Sequence, residues 1–220
     1  MFFDYEKKGK ITFLVCENNS DVKGDYQMVK TISSLKKCLC MEKRLYTPLK
    51  KRDMWLAMIS HDYTWSMWKY IKALRISEYF FNNCSFKVKK ITIFSLVCDM
   101  FYVIWRFIRN KRGKSLGIEI WENCFGTGLL IYHNIGGILI NGNARVGKNC
   151  RLHGNNCIGN KNGATPVIGD NVDIGFGVVI IGDVVIGNNT VIGAGAVVIN
   201  SFPKGHVVLA GIPARVIKNL

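Results

Sequence analysis

The feature that most constrains this chain is a six-residue repeat in its C-terminal half. Aliphatic residues recur at intervals of six over the longest stretch, at Ile168, Ile174, Ile180, Ile186, Ile192 and Val198. Mostly small or aliphatic residues follow four positions later, at Val172, Val178, Val184, Thr190, Ala196 and Phe202. Earlier fragments with the same period contain Ile140, Val146, Leu152 and Ile158, and before them Phe125 and Ile131. A β-sandwich would show alternation of period two with uneven spacing, so the constant period predicts a repeat architecture.

Each six-residue unit can supply one short strand and one tight turn. The aliphatic residue points inward, while glycine, asparagine and aspartate fill the turns, where a positive φ is often needed. Three units close one triangular coil, and stacked coils bury a continuous aliphatic column that no single coil could bury alone. The repeat therefore predicts a parallel β-helix from about residue 116 to residue 220.

The repeat is interrupted twice. Ile140 follows Ile131 after nine positions and Ile168 follows Ile158 after ten, where the repeat would give six. A stacked coil cannot absorb extra residues in its body, so we expect them to leave the coil as loops. Loops on a rigid scaffold often carry function, and the first of these loops contains His133.

Composition divides the chain near residue 115. Residues 1–115 contain 23 Lys and Arg against 10 Asp and Glu, whereas residues 116–220 contain 7 against 5. Only 3 of the 22 glycines lie in the first part. We therefore predict an α+β protein with a basic α-helical domain over residues 1–115 and a β-helix over residues 116–220. No nucleic-acid-binding motif is present, so the basic part is interpreted as a solvated surface, with a membrane-facing or anion-binding surface as the alternative.

Two helices are expected in the basic part. Apolar residues fall at helical spacing between Arg52 and Phe81, and a second helix should run from about Lys87 to Arg109. The apolar run Ile91–Trp105 contains Asp99 and is shorter than the roughly 20 residues that a membrane span needs. We expect this run to form a buried amphipathic helix. Its basic flanks keep an interfacial helix open as an alternative; they are Lys87, Lys89, Lys90, Arg106, Arg109, Lys111, Arg112 and Lys114.

The cysteines and the N-terminus bear on the compartment. None of the eight cysteines forms a CxxC pair, a pattern that fits free thiols in a reducing compartment. The N-terminal sequence MFFDYEKKGK does not have the pattern of a signal peptide. We expect a cytoplasmic protein, and the basic flanks leave open a peripheral position at the inner face of the membrane.

The C-terminal part resembles the serine acetyltransferase family and its relatives that O-acetylate cell-surface polysaccharides. The resemblance spans roughly residues 117–218 and continues weakly into the helical part. The matching segments are GIEI (117–120), GLLIYHNIGGILI (128–140), ARVGKNCRLHGNNCIGN (144–160), PVIGDNVDIGFGVVIIGDVVIG (166–187), NNTVIGAGAVV (188–198) and AGIPARVI (210–217). The resemblance implies a left-handed β-helix, acetyl-CoA as acetyl donor, and a homotrimer, or a hexamer assembled through the helical domain.

The resemblance also implies catalytic roles. Family members use a histidine in the loop after the GLLI-like segment to remove the proton of the acceptor hydroxyl, and His133 matches that position. An imidazole that titrates near neutral pH suits a general base. The family carboxylate that orients this histidine is matched by Glu119, although the family normally has aspartate there. The alternatives are that His133 is an ordinary turn residue and Glu119 a surface acid.

Several positions depart from the serine enzymes. Serine acetyltransferases carry an Arg-His pair before the proline of the second interruption, where this chain has Ala164 and Thr165, and an aspartate before the catalytic histidine, where it has Tyr132. Without the arginine, the carboxylate of a free amino acid loses its natural partner. His153 also occurs in the polysaccharide branch, and its alternative role is that of a turn residue. Tyr132, His153 and Thr165 are therefore the candidate substrate-binding residues.

Acetyl-CoA in this family lies in the groove between neighbouring subunits. The positions that match this groove are Gly159, Asn160, Phe176, Gly177, Ala194 and Gly195. Arg215 and Lys218 are candidates for the phosphates, with ordinary surface charge as the alternative. No metal is expected, because the γ-type carbonic anhydrases use three interfacial histidines, and the spacing of His133, His153 and His206 does not match theirs.

The sequence thus predicts an acetyl-CoA-dependent O-acetyltransferase acting on a saccharide hydroxyl in surface-polysaccharide or lipopolysaccharide assembly. Two alternatives stay open. One is a serine O-acetyltransferase of cysteine biosynthesis, and the other is a trimeric β-helix scaffold without catalysis. The partners expected are acetyl-CoA and a hydroxyl acceptor, with peripheral contact to a membrane or a lipid-linked substrate left open.

Overall fold

The computed structural model describes residues 29–47, 55, 59–60, 62–88, 91–133 and 135–220. Three helices are described over their full length: α1 (Ile32–Tyr46), α2 (Tyr63–Asn83) and α3 (Ile93–Leu116). The strands that follow are β1 (Ile118–Glu119), β2 (Leu130–Ile131), β3 (Ile138–Ile140), β4 (Arg145–Val146), β5 (Arg151–Leu152), β6 (Asn156–Gly159), β7 (Val167–Ile168), β8 (Asp173–Ile174), β9 (Val179–Ile181), β10 (Val185–Ile186), β11 (Val191–Ile192), β12 (Val197–Val198), β13 (Val207–Gly211) and β14 (Ala214–Asn219).

The strands form three sheets that wind around one axis. The first sheet has the order β1-β3-β6-β9-β12, the second β4-β7-β10, and the third β2-β5-β8-β11-β13-β14. Successive coils pair in parallel, and within the described strands only the terminal hairpin of β13 and β14 is antiparallel. About five coils are stacked in this way. The arrangement confirms the predicted α+β class and the left-handed β-helix.

The inward positions of the coils agree with the six-residue repeat. All six aliphatic residues of the longest run are buried, as are five of the six residues that lie four positions later. Phe202, at the end of the run, is half-buried. Because burial of one such aliphatic side chain contributes about 1.5–3 kcal/mol, this column is the main stabilising feature of the β-helix.

The helix boundaries differ from the sequence predictions. Helix α2 begins at Tyr63, because the Asp62 side chain accepts a hydrogen bond from the Thr64 backbone and caps the helix. The predicted start at Arg52 lies outside the described residues. Helix α3 runs from Ile93 to Leu116, later than the predicted Lys87–Arg109, and ends at Gly117, whose φ of 67° is left-handed.

Helix α1 has no counterpart among the predicted helices. Its buried residues are Cys38, Glu42 and Tyr46, so its buried face includes a charged side chain and shows little apolar periodicity. A capping box between Thr31 and Ser34 starts the helix. Two of its buried residues, Glu42 and Tyr46, form hydrogen bonds to the β-helix.

Buried polar side chains of α1 and α2 cover the first coil of the β-helix. Arg75 is 1% exposed, and its guanidinium donates to the carboxylates of Glu42 and Glu78 and to the carbonyl oxygens of Phe125 and Gly126 at 2.6–3.1 Å. Burial alone would lower the pKa of Arg75, but the two carboxylates raise this pKa above its usual value. The cluster therefore ties two helices to the first turn of the β-helix.

Helix α1 also holds the strand β2. Glu42 accepts hydrogen bonds from the backbone N–H groups of Gly128 (3.0 Å) and Leu129 (3.3 Å). The Tyr46 hydroxyl donates to the Leu129 carbonyl (3.1 Å) and accepts from the Ile131 N–H (2.8 Å). Because β2 is the outermost strand of the third sheet, these bonds replace those that a further coil would supply. The helical part thus caps the β-helix and shares one apolar core with it, and the division near residue 115 into two domains stays a prediction.

Helix α3 is buried on one side only. Its buried residues are Ser95, Cys98, Tyr102, Arg109 and Gly113. The opposite side exposes Ile93, Phe94, Leu96, Val97, Met100, Phe101, Val103, Ile104 and Phe107, which we call the α3 apolar face. The prediction of a buried helix is therefore wrong for this face. Across the described helices, none is long and apolar enough to cross a membrane.

Candidate active site

Both interruptions of the repeat leave the β-helix at corners of the first sheet. Residues 132–137 connect the third sheet to the first, and we call this the His133 corner. Residues 160–166 connect the first sheet to the second, and we call this the Asn160 corner. The two predicted loops therefore lie on opposite edges of one sheet and are not neighbours within a chain.

The first loop presents His133 to solvent. Its ring centroid lies 6.3 Å from that of Tyr63, the first residue of α2. The next coil passes directly beneath the loop, since a Cβ added to Gly154 would come 2.7 Å from the His133 carbonyl oxygen. Only glycine permits this approach, and its φ of 110° is also one that side chains avoid. The loop is thus fixed from below by Gly154 and faces the N-terminal end of α2.

The carboxylate of Glu119 points outward from β1 and is exposed. Its Oε1 accepts a hydrogen bond from the Trp121 indole at 3.2 Å. Both side chains line a groove of about 610 Å³ between the C-terminal end of α3 and the first sheet. Among the described residues no hydrogen bond joins Glu119 to His133, so the structure does not bring this predicted pair into direct contact.

Two cations hold Trp121 at the mouth of this groove. The guanidinium of Arg106 lies 5.3 Å from the indole ring and that of Arg109 lies 5.9 Å away. Arg109 is itself buried and lies 2.7 Å from the Glu122 carboxylate. Sequence reasoning did not single out Trp121, although its position two residues after Glu119 places both on the outer side of the same segment.

A different histidine does contact a carboxylate. His153 Nε2 lies 2.7 Å from Asp173 Oδ1, and its ring is 4.7 Å from the ring of Tyr132. Arg151 lies 3.3 Å from the other carboxylate oxygen. Two of the candidate substrate-binding residues, Tyr132 and His153, therefore come together at the His133 corner.

Asp173 was also missed by sequence reasoning, although a signal existed. The strand pairing puts Arg151 beside Asp173, because the second interruption lengthens one coil by four residues. Counting along the lengthened coil would have placed this carboxylate next to β5, the strand that His153 directly follows.

The candidate cofactor residues divide between the two corners. Phe176, Gly177, Ala194 and Gly195 follow β8 and β11 at the His133 corner, whereas Gly159 and Asn160 lie at the Asn160 corner. A Cβ added to Gly195 would meet nothing within 4 Å, so the backbone is open there. At the usual strand spacing, the three steps from the coil of His133 to the coil of Ala194 span about 14 Å. A ligand along this corner would have to cross the first sheet to reach Gly159 in the same chain.

The remaining candidates lie on the C-terminal hairpin and at the Asn160 corner. Arg215 and Lys218 are exposed on β14, opposite Ala210 and Val208 of β13. Thr165 lies at the Asn160 corner, where its hydroxyl donates to the Asn143 carbonyl at 3.2 Å. The structure therefore does not bring Thr165 together with Tyr132 and His153 within one chain.

The three histidines considered for a metal site do not converge. His206 lies between the second and third sheets, with Nε2 3.1 Å from Asn189, away from the corner that holds the other two. Over the ranges that the structure describes, no group of three His, Cys, Asp or Glu side chains is arranged to hold a metal ion.

Comparison with known proteins links the repeat to a family. Residues 165–200 match the family of bacterial transferase hexapeptide repeats (six repeats). No curated protein sequence matches the chain significantly.

Similar solved structures are serine acetyltransferases. The enzyme from Neisseria gonorrhoeae in complex with serine is 24% identical, with a TM-score of 0.57, and the match covers 83% of this chain and 69% of that one. The enzyme from Brucella abortus strain S19 is 20% identical, with a TM-score of 0.61 and coverage of 85% and 70%. A serine acetyltransferase in complex with CoA is 21% identical, with a TM-score of 0.60 and coverage of 84% and 71%. The chain therefore carries the repeat of bacterial hexapeptide transferases on a fold that it shares with serine acetyltransferases.

Proposed function

We propose that this protein is an acetyl-CoA-dependent O-acetyltransferase that acts on a hydroxyl group of a saccharide, with His133 as general base. The observation that carries the proposal is the His133 corner. There the first interruption presents the exposed imidazole of His133 on the same corner as four of the candidate cofactor residues, and the backbone is open at Gly195. The hexapeptide-transferase repeat and the similarity to a serine acetyltransferase solved with CoA support the same class of reaction.

The reaction requires the protein to position the two substrates and to transfer one proton. Acetyl-CoA supplies an acetyl group that is activated as a thioester. The neutral imidazole of His133 accepts the proton of the acceptor hydroxyl while the hydroxyl oxygen forms the new C–O bond to the acetyl carbonyl carbon. The C–S bond breaks, and the imidazolium can return the proton to the leaving thiolate. A general base of this kind typically contributes about 10²–10⁴-fold to the rate.

The role of Glu119 in this proposal is to orient His133 or to stabilise its imidazolium. The Glu119 side chain accepts a hydrogen bond from Trp121, its neighbour on the same segment. This role requires a Glu119 rotamer that releases the indole and faces His133, and a glutamate has one more rotatable bond than the aspartate of the family. The pair of His153 and Asp173 is the competing dyad, since it already has the 2.7 Å contact that an oriented base requires.

The acceptor class follows from the side chains around the corner and groove. Tyr132 and Trp121 present half-exposed aromatic rings. Tyr132 lies beside the pair of His153 and Asp173, and Trp121 lines the groove together with Glu119 and Asn155. Aromatic faces beside hydrogen-bonding groups suit a sugar ring, which has apolar C–H faces and polar edges. Ala164 and Thr165 offer no cation for the carboxylate of a free amino acid.

Serine is the second candidate acceptor. The solved structures that resemble this chain include a serine acetyltransferase in complex with serine, and the shared fold fits either acceptor. The two candidates differ in whether a carboxylate-bearing acceptor is needed, which a direct assay can decide.

We further propose that the active unit is a trimer. Within one chain, Gly159 and Asn160 lie across the first sheet from the other candidate cofactor residues. If a neighbouring chain packed its Asn160 corner against the His133 corner, the two sets of candidate cofactor residues would line one groove between the chains. Gly159 offers a clean test, because a Cβ there meets only ordinary contacts at 3.6–3.7 Å, so Gly159→Ala should fold normally and raise the KM for acetyl-CoA.

The function is tested by the release of free thiol from acetyl-CoA in the presence of a panel of mono- and oligosaccharides and of L-serine. The proposal expects release with at least one saccharide and not with serine, together with acetylated sugar in the products by mass spectrometry. Equal or faster release with serine would instead make the protein a serine acetyltransferase. If calorimetry detects no binding of acetyl-CoA, only the scaffold alternative survives.

A further inference from the structure

The α3 apolar face has no role in the proposed acetyl transfer. Nine large apolar side chains on this face are 37–84% exposed, with Ile93 at 84% and Phe107 at 67%. Monomeric soluble proteins rarely leave so large a contiguous apolar patch in water, and such patches usually mark an interaction site. At 1.5 Å per residue, the stretch from Ile93 to Phe107 is about 21 Å long.

Positive charge surrounds this face. Between residues 84 and 116 the chain has eight Lys and Arg and a single acid, Asp99. Lys87 precedes the helix, and Lys111 and Lys114 lie in its last two turns, where all three side chains are exposed. The lone acid is engaged, since Asp99 accepts a hydrogen bond from the Ser85 backbone, and hydrogen bonding to the side chain and backbone of Ser85 lowers the pKa of its carboxyl group. The apolar face is thus bounded by lysines at both ends and carries little negative charge to offset them.

We propose that α3 binds the surface of an anionic membrane, lying flat with its apolar face in the headgroup region. A helix with one apolar face and lysines at its borders has the composition of an interfacial helix. The lysines would reach lipid phosphates while the apolar side chains enter the boundary of the acyl chains. The helix does not span the bilayer, in agreement with the hydropathy of the described helices.

The lysines at the two ends of α3 also disfavour a second copy of this chain as the partner that covers the apolar face. If two α3 helices paired in antiparallel fashion, the Lys111 end of each would meet the Lys87 end of the other. Parallel pairing would bring each end against its own copy. In both cases positive ends meet, and like charges across an interface are costly. An anionic lipid surface has the opposite sign and can cover the whole face at once.

Membrane binding would also fix the position of the groove that Glu119 lines. The buried side of α3 ends at the groove, where Arg109, Asn110, Gly113 and Lys114 form one wall opposite Glu119. With α3 lying flat on the membrane, this groove is on the other side of the helix, about one helix diameter (10–12 Å) from the headgroups. An acceptor attached to a lipid could therefore reach it without leaving the surface.

The test is cosedimentation of the full chain with vesicles of phosphatidylglycerol and phosphatidylcholine, compared with vesicles of phosphatidylcholine alone. We expect binding to the anionic vesicles that weakens as salt rises. The double variant Ile93→Gln/Phe107→Gln should bind at least about tenfold more weakly, because it removes two of the most exposed apolar side chains. The matched control Ile217→Gln/Leu220→Gln changes two other exposed apolar residues, which lie at the C-terminus, and should bind normally.

The charged border is tested by Lys87→Gln/Lys111→Gln. Each lysine near an anionic surface contributes about fivefold to binding, so the pair should cost about 25-fold on anionic vesicles. Lys36→Gln/Lys43→Gln on α1 removes two other exposed lysines and should have a much smaller effect. Circular dichroism of every variant checks that the fold is retained.

Two outcomes would overturn the proposal. In the first, the full chain does not bind anionic vesicles, or it binds them equally well when the apolar face is substituted. In the second, sedimentation velocity shows that Ile93→Gln/Phe107→Gln lowers the mass of the assembly, which would mean that a second copy covers this face.

Discussion

The substitution Glu42→Gln tests the buried cluster that joins the helical part to the β-helix. All five guanidinium N–H groups of Arg75 have acceptors, and the Glu42 carboxylate supplies three of the contacts at 2.7–3.1 Å. A glutamine keeps the shape but has one oxygen, and its amide would direct N–H donors toward Arg75 or toward the N–H of Gly128. Removing one partner of a buried ion pair costs about 3–5 kcal/mol, and the lower end applies here because Glu78 stays in place.

A loss of about 3 kcal/mol should lower the midpoint of thermal unfolding by roughly 6–12 °C, because a chain of this size shifts by about 2–4 °C per kcal/mol. The measurement is circular dichroism at fixed protein concentration, with Asp183→Asn as the matched control. Asp183 is exposed, so its loss should change stability by less than about 0.5 kcal/mol. A shift of less than 3 °C for Glu42→Gln, or separate melting of helix and β-helix in the wild-type chain, would refute the claim that the cluster couples the two parts.

Three further predictions concern stability. Tyr46→Phe should cost about 1–3 kcal/mol, because it leaves the Leu129 carbonyl and the Ile131 N–H buried without a partner; thermal unfolding measures this, and an unchanged midpoint would contradict it. Gly187→Ala should destabilise by about 1–3 kcal/mol, because its Cβ would come 2.3 Å from the Pro203 carbonyl oxygen and 2.4 Å from the Gly205 nitrogen, whereas Gly159→Ala should melt like the wild type. Burial raises the pKa values of the Cys124 and Cys150 thiols to about 12, so both should resist alkylation at pH 8 while the exposed Cys40 reacts. The two thiols therefore stay protonated in the folded state at a pH where the unfolded chain has lost these protons, near pH 8.5. The free energy of unfolding should thus fall as the pH rises from about 8.5 toward 12, and Cys150→Ala should make this fall less steep.

The β-helix could be predicted from the sequence because its determinants are local and periodic. Every aliphatic position of the long run, from Ile168 to Val198, is buried as the repeat requires, and both interruptions leave the coils as loops. A period of six fixes which side chains point inward without any knowledge of distant contacts.

The helical part could not be predicted in the same way. Helix α1 buries Glu42, whose partners Arg75 and Gly128 lie 33 and 86 residues away, so its buried face looks polar until the fold is known. The apolar run of α3 was expected to be buried. Hydrophobicity alone does not say which side of a helix packs on the rest of the protein and which side is left exposed.

The candidate site was predicted in part. The loop that carries His133 follows from counting residues along the repeat, whereas Glu119 was matched to a family carboxylate only through the resemblance. The contact between His153 and Asp173 depends on how the longer coil shifts the register. The separation of Gly159 from Gly195 depends on which corner each residue occupies, and this information comes only from the folded chain.

The measurement that tests the central claim most directly is the turnover number for acetyl transfer in three matched variants, His133→Asn, His153→Asn and His206→Asn. If His133 is the general base, its replacement should lower kcat by about 10²–10⁴-fold, while the change at His153 costs less than tenfold and that at His206 has no effect. Asparagine suits the left-handed φ of 52° at position 206, so that variant controls for loss of an exposed imidazole without strain. If His153→Asn abolishes transfer and His133→Asn leaves it intact, the base is the imidazole beside Asp173 and the account given for His133 is wrong.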